Sequence, residues 1–460
     1  MTDLHIVVLA AGRGTRMKSA LPKVLHQACG LPLIEHVLRS ADRLRPASAV
    51  VVVGHEAELV RERLATRAHL TVVVQEPQLG TGHALLQAEG PLKGQRGTVV
   101  MLSGDVPLLT GETIDRLVTR HRSTGAAATV LTATVTDPGG YGRIVREDGR
   151  ITAIVEHRDA TPDVLAIREI NSGIYAFDLE PLFDALRQIG AQNVQGEYYL
   201  PDLVRIYRER GLVVETVTLA DPEEILGVNS RSELAVVAAR LRDRKNAALM
   251  TAGVTIVDPT SAWVDADVEV GPDTVLHPQV YLQGRTVVGG GCELHPGVRI
   301  VDSTLADRVV VNGYCLITSS RVAAGATLGP FSHLRPLSDV REDAHVGNFV
   351  ELKKTVLGRG SKANHLTYLG DATIGEKVNI GAGTITCNYD GVTKSPTVIE
   401  DGAFIGSDSQ LVAPVRVGRG AYVAAGSSIT QDVPADALAI ARGTQVNKEG
   451  WVSKRKSSRK

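Results

Sequence analysis

A glycine-rich segment with basic side chains directly follows the first apolar run of the chain. Gly12 and Gly14 come immediately after the run at residues 5–11. The cations of the same segment are Arg13, Arg16 and Lys23. Glycine lets backbone N–H groups approach a phosphate closely, and the cations neutralise its charge. The segment therefore predicts a phosphate-binding site.

The same glycines suggest a dinucleotide-binding fold, but only in part. The fingerprint of that fold has a third glycine, where this chain has Met17, and an acidic residue at the end of the second strand. Here the second apolar run ends at Gly54, and Glu56 comes later than the fingerprint expects. A dehydrogenase is therefore the weaker interpretation.

A candidate metal site lies further along the first half of the chain. Asp105 follows the apolar run at residues 97–103, where a strand would end. Its carboxylate and the amide oxygen of Asn229 would suit Mg2+, which prefers oxygen ligands. The residues alone leave a second interpretation open, in which Asp105 only begins the turn before Pro107.

The second half of the chain contains a cluster of polar residues that a purely structural repeat would not need. Its members are Arg335, Glu351, Lys353, Lys354, His365, Tyr368, Asn379, Asn388, Tyr389 and Lys394. A lone histidine is more often structural, but His365 stands among these polar neighbours in KANHLTYLGD. A neutral imidazole is a suitable general base near pH 7. The cluster therefore indicates a second site.

Short β-branched runs alternate with amphipathic segments over residues 1–230. The runs are HIVVLAA, SAVVVVG, LTVVVQ, GTVVMLSGD, AAATVLTATV, RITAIVEH and SGIYAF. Helical patterns separate them, for example at 31–44 and 110–124. This alternation predicts an α/β domain with a mostly parallel, Rossmann-like sheet, whose ligands bind at the carboxyl ends of the strands.

A helix is predicted at about 230–252, between the two halves. Ser230 and Glu233 have the spacing of a capping box, and Gly253 is a plausible stop. Apolar residues near one face complete the pattern. We expect this helix to link two domains.

After this helix the apolar residues recur every six positions. The first such run extends from Val270 to Ile300, the second, after one-residue slips, from Val311 to Leu352, and the third from Ile399 to Ile429. A period of six fits neither a helix nor a plain strand, and it predicts a parallel β-helix of hexapeptide repeats. The segment 387–396 interrupts the period, as an inserted loop would.

Composition limits the class of protein. The chain has 460 residues, a net charge of -1, 43% hydrophobic residues and four scattered cysteines. These values exclude a disordered chain, predict no partner among nucleic acids or membranes, and support neither a disulfide scaffold nor a cysteine zinc site. No signal peptide or membrane span is evident, so a cytoplasmic protein is expected. The basic end VSKRKSSRK is predicted to be a solvated, disordered tail.

The string L-x-x-G-x-G-T-x-M-x4-P-K, which runs from Leu9 to Lys23, resembles that of the sugar-nucleotide pyrophosphorylases. Further matches are Gln75, LGTGH at 79–83, Gly104-Asp105, GYGR at 140–143, IVEH at 154–157, EINSG at 169–173 and GVN at 227–229. With the hexapeptide domain behind it, nearly the whole chain resembles a family of bacterial bifunctional enzymes. These acetylate glucosamine 1-phosphate and then transfer uridylate to N-acetylglucosamine 1-phosphate.

The resemblance implies roles for residues of the first domain. Arg16 and Lys23 would act on the phosphates, Asp105 and Asn229 would hold one Mg2+, and Gln75, Gly80 and Thr81 would bind uracil. Gly142, Glu156 and Asn171 would hold the sugar. The nucleotide site would also include Leu9, Ala10, Ala11, Gly12, Ser103 and Gly104. Ser103 stands where relatives carry an aromatic residue, and this difference would affect the affinity for the nucleotide.

It also implies roles in the second domain. His365 would deprotonate the amine of glucosamine 1-phosphate, and Glu351 would orient His365. Asn388 and Tyr389 would position the amine and stabilise the oxyanion. The sugar phosphate would be bound by Arg335, Lys353, Tyr368, Asn379 and Lys394. Acetyl-CoA would be bound by Ala382, Asn388, Tyr389, Ser407, Ala425 and Arg442.

The expected organisation follows from the same resemblance. A pyrophosphorylase domain occupies 1–229, a helical linker 230–252, a left-handed β-helix acetyltransferase domain 253–442 and a basic tail 443–460. UTP and acetyl-CoA are co-substrates, and the chain assembles as a homotrimer. Two alternatives remain: a monofunctional nucleotidyltransferase with a structural or regulatory β-helix, and a non-catalytic scaffold.

Overall fold

The computed structural model describes residues 3–458. These residues divide into two compact units, the first ending at Leu241 and the second beginning at Arg242. The strands of the first unit are β1 (Leu4–Ala10), β2 (Gln27–Ala28), β3 (Leu31–Pro32), β4 (Ser48–Val53), β5 (Leu70–Val74), β6 (Thr98–Ser103), β7 (Ala128–Thr134), β8 (Arg143–Glu147), β9 (Arg150–Val155), β10 (Glu169–Asp178) and β11 (Val214–Thr218). Its helices are α1 (Leu33–Asp42), α2 (Ala57–Leu64), α3 (Thr81–Leu86), α4 (Glu89–Leu92), α5 (Gly111–Thr124), α6 (Pro162–Leu165), α7 (Leu179–Leu186) and α8 (Leu203–Glu209).

The central sheet of the first unit has the strand order β11-β7-β10-β6-β1-β4-β5. β1 is parallel to β4 and β6, and β4 is parallel to β5, whereas β10 is antiparallel to both β6 and β7. Ile6 and Val8 pack in one apolar cluster, and Val7 packs in another. Because both faces are buried, the strands are nearly continuous apolar runs, and the predicted α/β class is confirmed.

Parallel neighbours bring their carboxyl ends to one edge of this sheet. Leu9 of β1 lies opposite Ser103 of β6, and the N–H of Gly104 donates to the carbonyl of Leu9 at 2.9 Å. The N–H of Gln75 donates to the carbonyl of Val53 at 2.7 Å. The glycine-rich segment, Gln75 and Asp105 therefore begin at the same edge, where ligands of such sheets bind.

Helix α9 (Arg231–Thr251) begins with the predicted capping box. The Ser230 hydroxyl accepts a hydrogen bond from the N–H of Glu233 at 3.3 Å, and the Glu233 carboxylate accepts one from the N–H of Ser230 at 3.0 Å. Gly253 follows the helix with a φ of 95°, a conformation that favours glycine.

Among residues 3–458 no helix is both long enough and apolar enough to cross a bilayer.

The second unit is a coil with three strands per turn, and each strand pairs in parallel with the strand one turn later. The first face has β12 (Thr255–Ile256), β15 (Val275–Leu276), β18 (Glu293–Leu294), β21 (Val310–Val311), β24 (Thr327–Leu328), β27 (His345–Lys353), β29 (Lys362–Gly370), β31 (Asn379–Ile380), β34 (Phe404–Ile405), β37 (Tyr422–Val423) and β39 (Leu438–Ala439). The second face has β13 (Trp263–Val264), β16 (Tyr281–Gln283), β19 (Arg299–Val301), β22 (Leu316–Thr318), β25 (His333–Leu334), β32 (Ile385–Cys387), β35 (Gln410–Val412) and β38 (Ser428–Ile429). The long strands β27 and β29 continue onto this second face.

The third face is a separate sheet that closes each turn of the coil. Its strands are β14 (Glu269–Val270), β17 (Val287–Val288), β20 (Thr304–Leu305), β23 (Arg321–Val322), β26 (Asp339–Val340), β28 (Val356–Leu357), β30 (Ala372–Ile374), β33 (Thr397–Ile399) and β36 (Val415–Val417). Buried aliphatic side chains from most of the strands fill the interior in a single continuous cluster. The interior position of β32 is occupied by Thr386 instead. The predicted left-handed parallel β-helix is confirmed.

The one-residue slips of the sequence period correspond to shortened corners of the coil. Five residues separate Ile300 from Leu305, and Asp302 between them has a φ of 46°. Ser319, Lys354 and Asp371 occupy equivalent corners with positive φ. The interior side chains stay stacked across these shortened corners.

The end of the chain differs from its prediction. Instead of a disordered tail, α10 (Trp451–Ser457) forms a helix whose side chains are all exposed. The Arg455 guanidinium lies 5.0 Å from the centroid of the Trp451 ring. This local cation–π contact was not apparent from a charge count.

Candidate functional sites

A pocket of about 540 Å3 opens at the carboxyl edge of the first sheet. It is lined by most of the predicted nucleotide-binding residues: Leu9, Ala10, Ala11, Gly12, Lys23, Gln75, Gly80, Thr81, Ser103 and Asp105. Arg13, a cation of the predicted phosphate-binding segment, lines it as well. Gln78 and Glu197 also line it and were not among the predicted site residues. A mouth of backbone amides with adjacent cations suits a nucleoside triphosphate.

The Lys23 ammonium lies between the two predicted metal ligands. It donates to Oδ2 of Asp105 in a short contact and to Oδ1 of Asn229 at 2.9 Å. Both side chains of the Lys23–Asp105 pair are largely buried, with exposures of 13% and 17%. Two oxygens that contact one cation form a donor set that fits a hard divalent ion, so Asp105 and Asn229 fit the Mg2+ that the resemblance implies.

Gln75 is buried beneath the pocket with its side chain fixed. Its amide Nε2 donates to the Gly80 carbonyl at 3.0 Å and lies 3.1 Å from Nδ1 of His83. Gly80 has a φ of 109°, and a β-carbon there would lie 2.8 Å from the carbonyl oxygen of Tyr198. This close approach requires glycine and holds the Gly80–Thr81 turn in place.

The three predicted sugar-binding residues form a neighbouring cluster. The N–H of Asn171 donates to the Gly142 carbonyl at 2.9 Å, and a β-carbon at Gly142 would lie 3.3 Å from Oε1 of Glu156. Tyr175 donates its hydroxyl to Oδ1 of Asn171 at 2.9 Å. The cluster adjoins the nucleotide pocket, because Gly173 in the same strand lies close to Ser103.

Burial raises the pKa of Glu156, and the carboxylates of Asp159, Asp202 and Glu197 raise it further. A carboxyl group in such surroundings is suited to hydrogen bonding with sugar hydroxyls.

Arg16 is exposed and does not line the pocket. Its predicted action on the phosphates stays a prediction.

In the second unit His365 lies on β29, at the corner between the first and second faces. Its Nδ1 lies 2.9 Å from Oδ1 of Asn348, its in-register partner on β27. Glu351 lies three residues after Asn348 on β27 and pairs in register with Tyr368. The Glu351 carboxylate instead accepts from Arg335 at 2.9 Å. The structure places Asn348, and not Glu351, against Nδ1 of His365, and the predicted orienting role of Glu351 stays a prediction.

The predicted acetyl-CoA residues continue the corner on which His365 lies. The N–H of Asp408 donates to the Ala382 carbonyl at 2.7 Å, and that of Gly426 donates to the Ser407 carbonyl at 2.8 Å. Arg442 donates from its guanidinium to the Ala425 carbonyl at 2.7 Å. His365, Ala382, Ser407, Ala425 and Arg442 thus form one column, called the corner column below, with about 4.8 Å between rungs.

A cluster of cations lies on the second face, beside this column. Lys353 is 3.3 Å and Lys354 is 3.7 Å from the Asp371 carboxylate, which also accepts from the amide of Asn388. Burial raises the pKa of Asp371, but the hydrogen bonds from Asn388 and Lys353 outweigh it and lower the pKa overall. Asp371 was not among the predicted site residues.

Lys394 joins this cluster from the inserted loop. The neighbouring Lys353 lowers the pKa of Lys394. A hydrogen bond from Lys353 to the Lys394 amine, together with the Asp371 carboxylate, raises the pKa of Lys353. Tyr368 also faces Lys353. Asn379 does not belong to this cluster, because it lies on the first face opposite Lys362 and Phe404.

The interrupting segment forms a small loop next to the cations. Tyr389 and Lys394 pair across it, and the hydroxyl of Tyr389 donates to the Gly391 carbonyl at 2.5 Å. Asn388 is buried at its base, whereas Tyr389 is exposed. The loop therefore carries one fixed and one accessible residue of the predicted site.

Comparison with known proteins agrees with this two-part architecture. Residues 6–175 match the family description "MobA-like NTP transferase domain", and residues 396–431 match "bacterial transferase hexapeptide (six repeats)". The chain therefore combines a nucleotidyltransferase domain with a hexapeptide-repeat domain of the bacterial transferase type.

Full-length relatives identify the family. The chain is 51% identical to the bifunctional protein GlmU of Trichlorobacter lovleyi over 453 residues, which cover 98% of each chain. It is 50% identical to that of Koribacter versatilis, over 99% of this chain and 98% of the relative. It is 49% identical to that of Halalkalibacterium halodurans, over 99% of this chain and 100% of the relative. The chain belongs to the GlmU family of bifunctional transferases.

Proposed function

We propose that the first unit transfers uridylate from UTP to N-acetylglucosamine 1-phosphate. A phosphate oxygen of the sugar phosphate attacks the α-phosphorus of UTP, the new P–O bond forms, and the bond to the β-phosphate breaks to release pyrophosphate. Such transfers depend on positioning and on neutralising phosphate charge. The pocket at the ends of β1, β5 and β6, with Lys23 and Asp105 at its base, supports this assignment.

The side chains divide this work. Backbone amides of residues 9–12 contact the phosphates, Lys23 and Arg16 neutralise them, and Gln75, Gly80 and Thr81 bind the uracil. Ser103 and Gly104 line the nucleotide site, while Gly142, Glu156 and Asn171 orient the sugar. Asp105 and Asn229 would hold one Mg2+, which would neutralise phosphate charge. Lys23, which contacts both of these oxygens, would then be available to contact the nucleotide.

We propose that the second unit transfers acetyl from acetyl-CoA to glucosamine 1-phosphate. The 2-amino nitrogen attacks the thioester carbonyl, the N–C bond forms, the C–S bond breaks, and coenzyme A leaves as a thiol. Nε2 of His365 takes the amine proton, because Nδ1–H is donated to Asn348 and leaves the Nε2 lone pair free. Asn388 and Tyr389 position the amine and stabilise the oxyanion.

One observation carries this assignment: the corner column aligns His365 with Ala382, Ser407, Ala425 and Arg442. An extended acetyl-CoA along this column would have its thioester at His365 and its phosphates near Arg442. The cation cluster of Arg335, Lys353 and Lys394 beside His365 suits the sugar phosphate, together with Tyr368. A purely structural or regulatory β-helix has no need of this arrangement.

We propose the domain bounds expected from the sequence: a pyrophosphorylase domain at 1–229, a helical linker at 230–252, a β-helix domain at 253–442 and a basic tail at 443–460.

We further propose that the chain assembles as a homotrimer. An exposed ladder of Tyr314, Phe331 and Phe349, with ring centroids 5.5 and 5.4 Å apart, supports self-association, because such apolar ridges are usually covered. The four cysteines are present as thiols and not as disulfides, which is compatible with the reducing cytoplasm.

The test is an assay of the full chain with glucosamine 1-phosphate, acetyl-CoA, UTP and Mg2+. We expect free thiol to appear without UTP, and pyrophosphate to appear only after acetylation. The product is UDP-N-acetylglucosamine, a precursor for the cell wall. Pyrophosphate formed from added N-acetylglucosamine 1-phosphate, without any thiol release from glucosamine 1-phosphate, would instead support the monofunctional alternative.

A further inference from the structure

Three side chains with metal-binding atoms converge on the first face of the β-helix, away from the acetyl-transfer residues. His277 follows β15, while Glu293 and His295 lie on and after β18, one turn of the coil later. The N–H of His277 donates to the Leu294 carbonyl, so His277 and His295 are neighbours in adjacent rungs. Glu293 and His295 are two residues apart and therefore project from the same side.

The distances among their polar atoms are short. Nε2 of His277 lies 3.0 Å from Oε1 of Glu293, and Nε2 of His295 lies 3.6 Å from the same oxygen. One ligand atom from each of the three residues lies within 4.8 Å of the others, the one such group of His, Cys, Asp or Glu within residues 3–458. With bonds of about 2.0–2.2 Å, the ligand atoms of a tetrahedral zinc site lie about 3.3–3.6 Å apart.

We propose that His277, Glu293 and His295 form a binding site for a divalent transition-metal ion such as Zn2+. Two imidazole nitrogens and one carboxylate oxygen are a ligand set that such ions prefer. The side-chain exposures of 26%, 45% and 31% leave a fourth position open to water.

A simple ion pair explains only part of this arrangement. His277 makes a hydrogen bond with Glu293, but the 3.6 Å separation is too long for a hydrogen bond from His295. The two rings are stacked, with centroids 4.7 Å apart and planes 11° from parallel. Binding requires each ring to turn about its Cβ–Cγ bond, because an ion cannot lie in both planes of a parallel stack. Half-exposed side chains have room for this rotation.

The ion would join consecutive turns of the coil. His277 belongs to one turn, and Glu293 and His295 belong to the next. In a solenoid each turn is stabilised mainly by its neighbours, so a bond across this step stabilises the early part of the β-helix. A ligand that binds only the folded form raises the melting temperature.

The experiment is a Zn2+ titration of the metal-stripped full chain against a chromophoric chelator, in excess Mg2+ to occupy the Asp105 and Asn229 oxygens. Wild type is expected to bind one Zn2+ per chain and to melt at a higher temperature with it. His277→Asn and His295→Asn each lower the affinity by at least about tenfold and abolish the rise in melting temperature. His69→Asn, which removes an exposed histidine of the first unit, is the matched control.

Two further measurements make the test independent of how the variants fold. Co2+ bound in place of Zn2+ is expected to give d–d bands without a thiolate charge-transfer band, because no cysteine is a ligand. Crystals soaked in Zn2+ are expected to show anomalous density within about 2.2 Å of the three side chains. Absence of saturable binding, unchanged affinity in both variants, or a thiolate band would overturn the proposal.

Discussion

Nδ1 of His365 lies 2.9 Å from Oδ1 of Asn348, on the preceding turn of the β-helix. An amide oxygen only accepts, so this contact holds the proton on Nδ1 and leaves Nε2 as the base. In this contact the partner of His365 is a neutral amide, where the sequence suggested a carboxylate.

Asn348→Ala is predicted to lower kcat for acetyl transfer by about 10- to 100-fold, because the imidazole loses the contact that fixes its tautomer and orientation. KM for both acetyl-transfer substrates stays close to the wild-type value. Thiol release from acetyl-CoA measures the effect, and uridyl transfer by the same preparation is the control for folding. Equal losses in both reactions would show a structural role instead.

Asn348→Asp tests the effect of charge beside His365 without changing the size of the side chain. The shape is retained, but a negative charge beside His365 favours the imidazolium and raises its pKa. The acidic limb of the profile of kcat/KM against pH is therefore expected to move to higher pH. A profile identical to that of wild type would contradict a contact between the two side chains in the working enzyme.

Lys394 gives the sugar-phosphate site a pH dependence. Its pKa is lowered by the neighbouring Lys353, so it loses its proton at lower pH than an ordinary lysine as the pH rises. One positive charge is then lost, and KM for glucosamine 1-phosphate is predicted to increase on the alkaline side. In Lys394→Arg the increase moves to higher pH, because a guanidinium stays charged. Lys448→Arg in the exposed tail is the control; an unshifted curve for Lys394→Arg would remove Lys394 from the site.

Arg442 marks the far end of the corner column. Arg442→Ala is predicted to raise KM for acetyl-CoA about 10- to 100-fold, the loss expected for a charged hydrogen bond to phosphate, with KM for glucosamine 1-phosphate unchanged. Arg419→Ala, on another corner of the coil, is the matched control. If both variants keep the wild-type KM for acetyl-CoA, the coenzyme does not follow the column.

Lys23 competes with metal for two oxygens. Its ammonium donates to Asp105 and Asn229, so Lys23→Met is predicted to bind Mn2+, a reporter for Mg2+, more tightly than wild type in the absence of nucleotide. Uridyl transfer falls at the same time, because a phosphate-neutralising charge is lost. Electron paramagnetic resonance of free Mn2+ measures the binding. Weaker Mn2+ binding by Lys23→Met would be inconsistent with a shared site.

Much of the fold follows from the period of the apolar residues. A six-residue repeat places one aliphatic side chain in the interior per strand, and this pattern alone predicts the coil. The strands β1, β4, β5, β6, β7, β9 and β10 also correspond to apolar runs of the sequence. β8 and β11 were missed because their residues alternate with polar ones or are half-exposed at the sheet edge.

The site was harder to predict where contacts depend on register. Asn348 precedes His365 by seventeen residues, whereas Glu269 and Val287 pair at eighteen, and the difference is the shortened corner at Lys354. The slip in period was visible in the sequence and could have identified Asn348. On chemical grounds alone Glu351 was the better candidate, but it lies three residues beyond Asn348 on β27 and is in register with Tyr368 instead of His365.

The central claim is that the chain contains two separate active sites, one in each unit. The most direct measurement compares His365→Ala and Asp105→Ala in parallel, with thiol release and pyrophosphate release recorded separately. His365→Ala is predicted to lose acetyl transfer and to keep uridyl transfer to supplied N-acetylglucosamine 1-phosphate. Asp105→Ala is predicted to do the reverse, and a mixture of the two restores the complete sequence from glucosamine 1-phosphate. Full acetyltransferase activity in His365→Ala, or loss of both activities in either folded variant, would contradict the account.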